Sequence, residues 1–338
     1  VIREILIIVF CGFIFSLSFA VDNEAEWQKL YSQTATLYNE GDYSKALKAA
    51  RSSIRYAGKF FGKNHPKYAS GLNHLGIIYS SMGYNKKAEQ LYIRALDIQK
   101  KNQRERHPDY ASGLNNLAVL YIFEGQYEKA EPLFKQAIEI RKEALGENNP
   151  DYAVNLINLA KLYDSTGQYE KTEPLYKQGL EIQRKVLGEN HPYYAKNLIG
   201  LALLYQDRGQ YEKAEPLFKQ AIEIQRKALG ENHLDYIDSL DSLARLYYLS
   251  EQYEKSESLC KQIIDMKKRV FGEKDPDYAH SLSNLAYLYR SMKQYEKAEQ
   301  LYKQALRIYR ETVGVNDSSY KNSLNKLTAL QKVMRQKE

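Results

Sequence analysis

Along most of this chain, apolar positions recur three and four residues apart, the spacing that aligns one face of an α-helix. Residues 107–148 show the pattern clearly. A first segment puts Leu114, Leu117, Ala118 and Tyr121 on one face. It is preceded by His107 where an N-cap belongs and Pro108 at the first helical position, where a missing N–H costs nothing. Asp109 adds negative charge near the positive end of the helix dipole, and Gly125 ends the segment, as Gly83, Gly167 and Gly209 do elsewhere. A second segment runs from about Tyr127 to Leu145. Ala130, Leu133, Phe134, Ala137, Ile138, Ile140, Ala144 and Leu145 fall in one arc, with Glu131, Lys135, Gln136, Glu139, Lys142 and Glu143 opposite. Arg141 falls inside the apolar arc, and is expected where the helix end projects beyond its neighbours. Gly146 stops the second helix.

This two-helix unit repeats. His107-Pro108-Asp109-Tyr110-Ala111 returns as Asn149-Pro150-Asp151-Tyr152-Ala153, His191-Pro192-Tyr193-Tyr194-Ala195 and Asp275-Pro276-Asp277-Tyr278-Ala279, and appears earlier from His65 and in worn form from His233. Successive copies lie 42 residues apart without an insertion, so each unit is expected to stack on the last in the same way. One helix pair cannot bury so wide an apolar face alone and needs its neighbours. The predicted fold is all-α, a solenoid of tandem antiparallel helix pairs. Its expected parts are a divergent N-terminal capping repeat over 24–64, six 42-residue repeats over 65–316, and a C-terminal capping helix with a polar tail over 317–338. Tyr92, Phe134, Tyr176, Phe218, Cys260 and Tyr302 share one register position and are expected in the core.

The first twenty residues break the pattern. From Ile5 to Val21 the chain is apolar and uncharged, Arg3 precedes the run, and Ser18-Phe19-Ala20 closes it with small residues before Asp22-Asn23-Glu24. This is the layout of a signal peptide, residues 1–20, cleaved after Ala20. It predicts a secreted, periplasmic or envelope protein. The alternative is an uncleaved membrane anchor over residues 5–21, which would be the chain's sole contact with a membrane.

Composition narrows the function further. Lys and Arg number 49 against 42 Asp and Glu, and the formal excess of +7 is spread along the chain. Nucleic-acid binding normally shows a clustered basic stripe, so no nucleic-acid partner is expected. His65, His107, His191 and His233 are copies of one cap position, held about 10 Å or more apart by helix packing, too far to converge on a metal. Glycine-rich phosphate loops, nucleophile elbows and zinc spacings do not occur. The chain reads as non-enzymatic, with no cofactor and no metal.

Leu117, Ala118, Tyr121, Ala130, Phe134 and Ala137 match the tetratricopeptide signature at its offsets. The strings LNNLAVLY and YEKAEPLFKQAIEI resemble more particularly the repeats of kinesin light chains and their bacterial relatives, over residues 65–316. The resemblance implies a right-handed superhelical solenoid whose first helices line a concave groove for a protein or extended peptide. In the type repeat, Ser112, Asn115, Asn116, Val119 and Phe123 would face that groove. Equivalent positions give His74, Ile77, Asn158, Lys161, Leu203, Arg245, Leu249, Asn284 and Tyr287, with Arg290 and Tyr248 at the edge. The family's asparagine clamp on a peptide backbone falls on Asn116, Asn158 and Asn284, interrupted by Gly200 and Ser242. Two roles for these amides stand open: holding a peptide, or bonding the adjacent helix. The expected function is a scaffold that binds a peptide or protein in the groove. The alternative is a structural subunit that self-associates through its ends or convex face.

Overall fold

A computed structural model describes residues 22–336, in which all regular structure is helical. The helices are α1 (22–39), α2 (Tyr43–Phe60), α3 (Pro66–Ser81), α4 (Asn85–Lys101) and α5 (Pro108–Phe123). They continue as α6 (Tyr127–Leu145), α7 (Pro150–Ser165), α8 (Tyr169–Leu187), α9 (Pro192–Asp207) and α10 (Tyr211–Leu229). The last are α11 (Leu234–Leu249), α12 (Tyr253–Phe271), α13 (Pro276–Ser291), α14 (Tyr295–Thr312) and α15 (Ser318–Arg335). Odd-numbered helices open each repeat and even-numbered ones close it. The segment read as a leader, residues 1–20, lies outside the described residues. The chain divides after Ile182, within α8, into two compact units.

Helix starts follow the caps foreseen in the sequence. The ring Nδ1 of His65, His107, His191 and His233 accepts a backbone N–H two residues on, at 3.1–3.2 Å. Asn149 and Asp275 use a side-chain oxygen in the same way, at 2.8 and 2.7 Å. The first helices end on a left-handed residue, as Gly125 does with φ 71°. Glu251 and Lys293 occupy that position in later repeats at φ 58° and 60°, where a Cβ is strained.

In unit 1 the type repeat buries Leu114, Leu117, Ala118 and Tyr121 of α5 and Ala130, Phe134, Ala137 and Ile140 of α6. Leu133 and Ile138 are half-buried, while Ala144 and Leu145 are exposed. Arg141 departs from expectation: it is 5% exposed. Its Nη1 donates to the Asp151 backbone oxygen at 2.7 Å and to Asn155 Oδ1, and its Nη2 donates to Ser112 Oγ at 2.9 Å. The guanidinium therefore ties α6 to both α5 and α7, because its long stem carries it into a polar notch between them. The divergent first repeat is anchored by Trp27, whose ring stacks on Tyr31 at 4.8 Å.

In unit 2 one core joins Ile237 and Leu240 of α11, Ile263 and Met266 of α12, Leu282 and Leu285 of α13, Tyr302 and Tyr309 of α14, and Leu327 and Leu330 of α15. Cys260 is buried among them, as its register position foretold. Outside the core, the same bridge recurs between neighbouring repeats of each unit. Tyr121 donates to Glu89 and Tyr163 to Glu131 in unit 1, and Tyr247 to Glu215 and Tyr289 to Glu257 in unit 2, all at 2.9–3.0 Å. In three of the four a lysine one turn along joins the bridge, Lys135 beside Glu131, Lys219 beside Glu215 and Lys261 beside Glu257, at 2.8, 2.7 and 2.6 Å.

The C-terminal helix is more than a cover. Asp317 caps α15 by accepting from Ser319 N at 2.7 Å, 42 residues after the Asp275 cap. Tyr320, Leu327 and Leu330 repeat Tyr278, Leu285 and Leu288 in the same register. So α15 is an eighth first-type helix, and it extends the face that α11 and α13 present.

Candidate functional site

In unit 1, α3, α5 and α7 bring the expected residues onto one face. His74 is not open there: Tyr31 stacks on it at 4.1 Å, and burial holds its pKa down to about 4. The amides bond one another. Asn158 Nδ2 donates to Asn115 Oδ1 at 3.0 Å, Asn115 Nδ2 to Asn116 Oδ1 at 3.4 Å, and Asn116 Nδ2 to Asn73 Oδ1 at 3.2 Å. This chain of amides crosses three first helices, and Asn115 within it is buried. Of the two roles left open, the structure supplies partners for the helix-bonding one, as buried amides require. Ile77 and Val119 are half-buried against the core. Phe123 stands 75% exposed, and Lys161 also points outward.

In unit 2, Arg245, Leu249, Asn284 and Tyr287 line one cavity of about 390 Å³. Leu203 on α9 and Arg290 at the end of α13 are half-buried and outside it. Among the wall residues that the sequence reading did not place in the groove are His280 of α13 and Lys326 of α15. Lys326 lies 42 residues after Asn284, so the register alone would have found it had α15 been read as a repeat helix. An adjoining cavity of about 250 Å³ shares His280, Asn284 and Lys326 and reaches Tyr309.

The floor is apolar and aromatic. Tyr248 and Tyr287 lie with ring centroids 5.4 Å apart, and the Tyr248 hydroxyl meets Ser291 Oγ at 3.1 Å. Lys326 Nζ sits 5.2 Å from the centre of the Tyr287 ring, a cation–π distance, and burial pushes its pKa down. Asp241 is the wall's carboxylate, and it is held by Lys267 Nζ at 2.9 Å. Burial, then the nearby Lys267 and Lys326, lowers the His280 pKa, so the ring is neutral near pH 7. With Asp241 offset by Lys267, Arg245 and Lys326 leave the walls with uncompensated positive charge.

Nucleophilic chemistry is poorly served here. Burial pushes the Cys260 thiol up to about 11, which leaves almost no thiolate at neutral pH. Among the described residues no three His, Cys, Asp or Glu side chains gather as a metal site. The capping histidines donate their geometry to helix starts, as described above. The arrangement as a whole offers shape, aromatic surface and positive charge, which are the means of binding.

Comparison with known proteins agrees with this fold. Among solved structures, the chain is similar to a putative kinesin light chain from Podosopora anserina with nearly identical TPR-like repeats. The two are 28% identical, with 61% of this chain and 97% of that one covered at a TM-score of 0.53. BtubC (BKLC) from P. vanneervenii is 22% identical over 72% of this chain and 92% of its own, at 0.56. A Rap protein complexed with Competence and Sporulation Factor is 16% identical over 85% and 75%, at 0.59. No curated protein matches the sequence. The family model described as tetratricopeptide repeat matches residues 32–101, 109–185, 165–227, 193–268 and 242–311. With the register, the caps and the paired helices all repeating at the same interval, the chain belongs to the tetratricopeptide repeat family.

Proposed function

We propose that this protein is an exported, non-enzymatic scaffold that binds a peptide segment of a partner protein on its first-helix face. The observation that carries the reading is the unit 2 cavity, where an apolar aromatic floor meets side chains of α11, α13 and α15. Concave sites with a few convergent polar groups are where ligands bind. The exposed Phe123 of unit 1 adds apolar surface of the kind that marks an interaction site. The solved Rap neighbour, of the same fold, holds Competence and Sporulation Factor. A random-hexapeptide array followed by titration of the enriched peptides tests this. Leu249→Ser and Tyr287→Ala are expected to weaken binding more than tenfold, above about 1.4 kcal/mol. Lys268→Glu on the outer face of α12 is expected to change little. Enriched peptides that bind these groove variants as well as wild type would refute the groove reading. Light scattering that shows a defined oligomer broken by the outer-face change would favour self-assembly in its place.

Export is the second part of the proposal. It rests on the uncharged run from Ile5 to Val21 and the small residues before Asp22. Among the described residues no helix is long and apolar enough to cross a membrane. Mass spectrometry of protein recovered from its host is expected to find Val21 as the N-terminus. Recovery of an intact Ile5–Ala20 segment in the membrane fraction would instead establish the anchor.

A further inference from the structure

We infer that the outer face of α2 docks on an anionic lipid surface. This rests on the export reading for bringing the chain to a membrane, and it adds a contact with lipid besides the apolar run. The formal excess of charge is less evenly spread than its total suggests. Residues 43–88 hold nine Lys or Arg and no Asp or Glu. The repeat register shows which acids are missing. The glutamate at one position of every later second helix, from Glu89 to Glu299, is Leu47 in α2. Eight residues on, where Asp97, Glu139, Glu181, Glu223 and Asp265 stand, α2 has Arg55. Tyr79, left without that glutamate, accepts from Arg51 Nη2 at 2.9 Å. Lys48, Arg51, Arg55 and Lys59 follow at spacings of three and four, so they form one stripe along α2, and all are exposed. The stripe is about 16 Å long at the helical rise, and Lys63 prolongs it. Among the described residues none of the five meets a carboxylate within ion-pair distance. The acids on either side are engaged: Asp42 with Lys45 at 2.8 Å, Glu24 with Lys67, Glu26 with Lys29 at 3.9 Å and Asp97 with Lys101 at 2.7 Å. Asp22 and Glu40, at the ends of α1, are outnumbered.

Beside the stripe the surface opens. Gly58 stands where every later second helix carries lysine or arginine, from Lys100 to Arg310. A Cβ there would lie 3.2 Å from the Tyr68 ring, so glycine leaves that ring uncovered. The result is a crevice of about 500 Å³ between α2 and α3, floored by Ile54, Tyr68 and Leu72 and rimmed by the basic side chains. Cations above an apolar floor match an anionic head above an apolar body, which is the chemistry of a phospholipid. Nucleic acid, a polyanion without an apolar body, would use the rim alone. A straight row of cations on the outward side of a helix also meets a plane of headgroups along its whole length. The start of α1 fixes which end lies nearest the apolar run. Tyr56 donates to Asn23 Oδ1 at 2.7 Å and Lys67 pairs with Glu24, so the run that ends at Val21 joins the stack at the Lys59 end of the stripe. Each Lys or Arg near an anionic surface strengthens binding roughly three- to fivefold.

Flotation with vesicles tests this, using the chain from Val21 onward, which holds every described helix. The vesicles are phosphatidylcholine alone and phosphatidylcholine mixed with phosphatidylglycerol. Binding is expected to the mixed vesicles only, and to vanish at about 1 M salt, where the Debye length is about 3 Å. Combining Arg55→Gln, Lys59→Gln and Lys63→Gln should weaken it about thirtyfold, with helicity and melting unchanged. Lys63→Gln alone, beyond the end of α2, should weaken it about threefold and keeps the test decisive if the triple variant loosens the helix. The same loss of charge through Lys185→Gln, Lys227→Gln and Arg269→Gln, which share the register of Lys59, should leave binding nearly as in wild type. Equal weakening by the two triple variants, or equal binding to both kinds of vesicle, would overturn the inference. Poly-glutamate and a DNA duplex are added as competitors at matched charge and should displace the chain poorly. Ready displacement by either would assign the face to that class of partner and overturn the lipid reading. Vesicle binding decides this inference and the mass-spectrometric N-terminus decides export, so either can fail alone.

Discussion

Replacing Arg141 by alanine is expected to destabilise unit 1 by about 2–4 kcal/mol, the range for removing one member of a buried charged hydrogen-bond set. The guanidinium donates to Asp151 O, Asn155 Oδ1 and Ser112 Oγ. Asn155 is fully buried, and its Nδ2 has no partner already. Alanine would strip its oxygen too and leave a void between α5 and α7. Arg141→Gln should lose only about 1 kcal/mol, a typical net hydrogen bond. In unit 2 the residue at the same register, Gln183, accepts from Asn197 at 3.0 Å. Urea denaturation followed by circular dichroism measures both. An equal loss for glutamine and alanine would mean that the charge, not the bridge, matters at this position.

The second large effect is expected from acid. Burial holds His74 down to about 4, against 6.5 for the free group, under the stacked Tyr31 ring. The unfolded chain therefore takes up the proton first, so the folded state loses stability as pH falls. His74 imposes no penalty above pH 6.5. Its penalty grows as pH drops from 6.5 towards 4 and reaches at most about 3 kcal/mol. His65 is also depressed, by burial and then by Arg104, and acts in the same direction. Glu131 is lowered by its bond to Lys135 first, so it loses its contribution at lower pH still. His74→Phe keeps a ring for Tyr31 to stack on and removes the titration. Protection of α1 and α3 amides, measured against their intrinsic exchange at each pH, should then fall far less between pH 7 and pH 4 than in wild type. An unchanged pH profile in that variant would place the acid sensitivity elsewhere.

These two residues show why a pattern of apolar positions carries an argument only so far. Arg141 breaks the arc of α6, and periodicity alone could place it only at an edge. Its long stem and fork reach polar groups on two other helices, and which groups stand there is settled when the repeats stack. His74 likewise occupies the register of Asn116 and Asn158, which marks it for the open face. It is covered because the divergent α1 puts an aromatic ring, Tyr31, opposite, where the next two repeats place Asn73 and Asn115.

The asparagines make the same point for the candidate site. Their spacing puts Asn116 and Asn158 on one face, as the helix period requires. Whether those amides wait for a peptide or bond each other depends on distances of about 3 Å between separate helices, and a linear pattern does not hold those. The unit 2 cavity arises similarly. Arg245, Leu249, Asn284 and Tyr287 were legible one by one, but the cavity needs α15, whose faded copy of the repeat hid Lys326.

What the sequence determined by itself was the helix pairs, their 42-residue register, their caps and stops, and most of the apolar core, though not the exposure of Ala144 and Leu145 at the end of α6. Each follows from local rules of helix period, end chemistry and apolar burial, and the repetition averages out any single misleading residue. Tertiary structure alone decided which polar groups meet across helices, that Tyr31 closes over His74, and that Arg245 and Lys326 share a cavity. Those outcomes turn on groups ten or more residues apart in the chain approaching within a few ångströms, and on the loss of water between them. Only the packed stack fixes both.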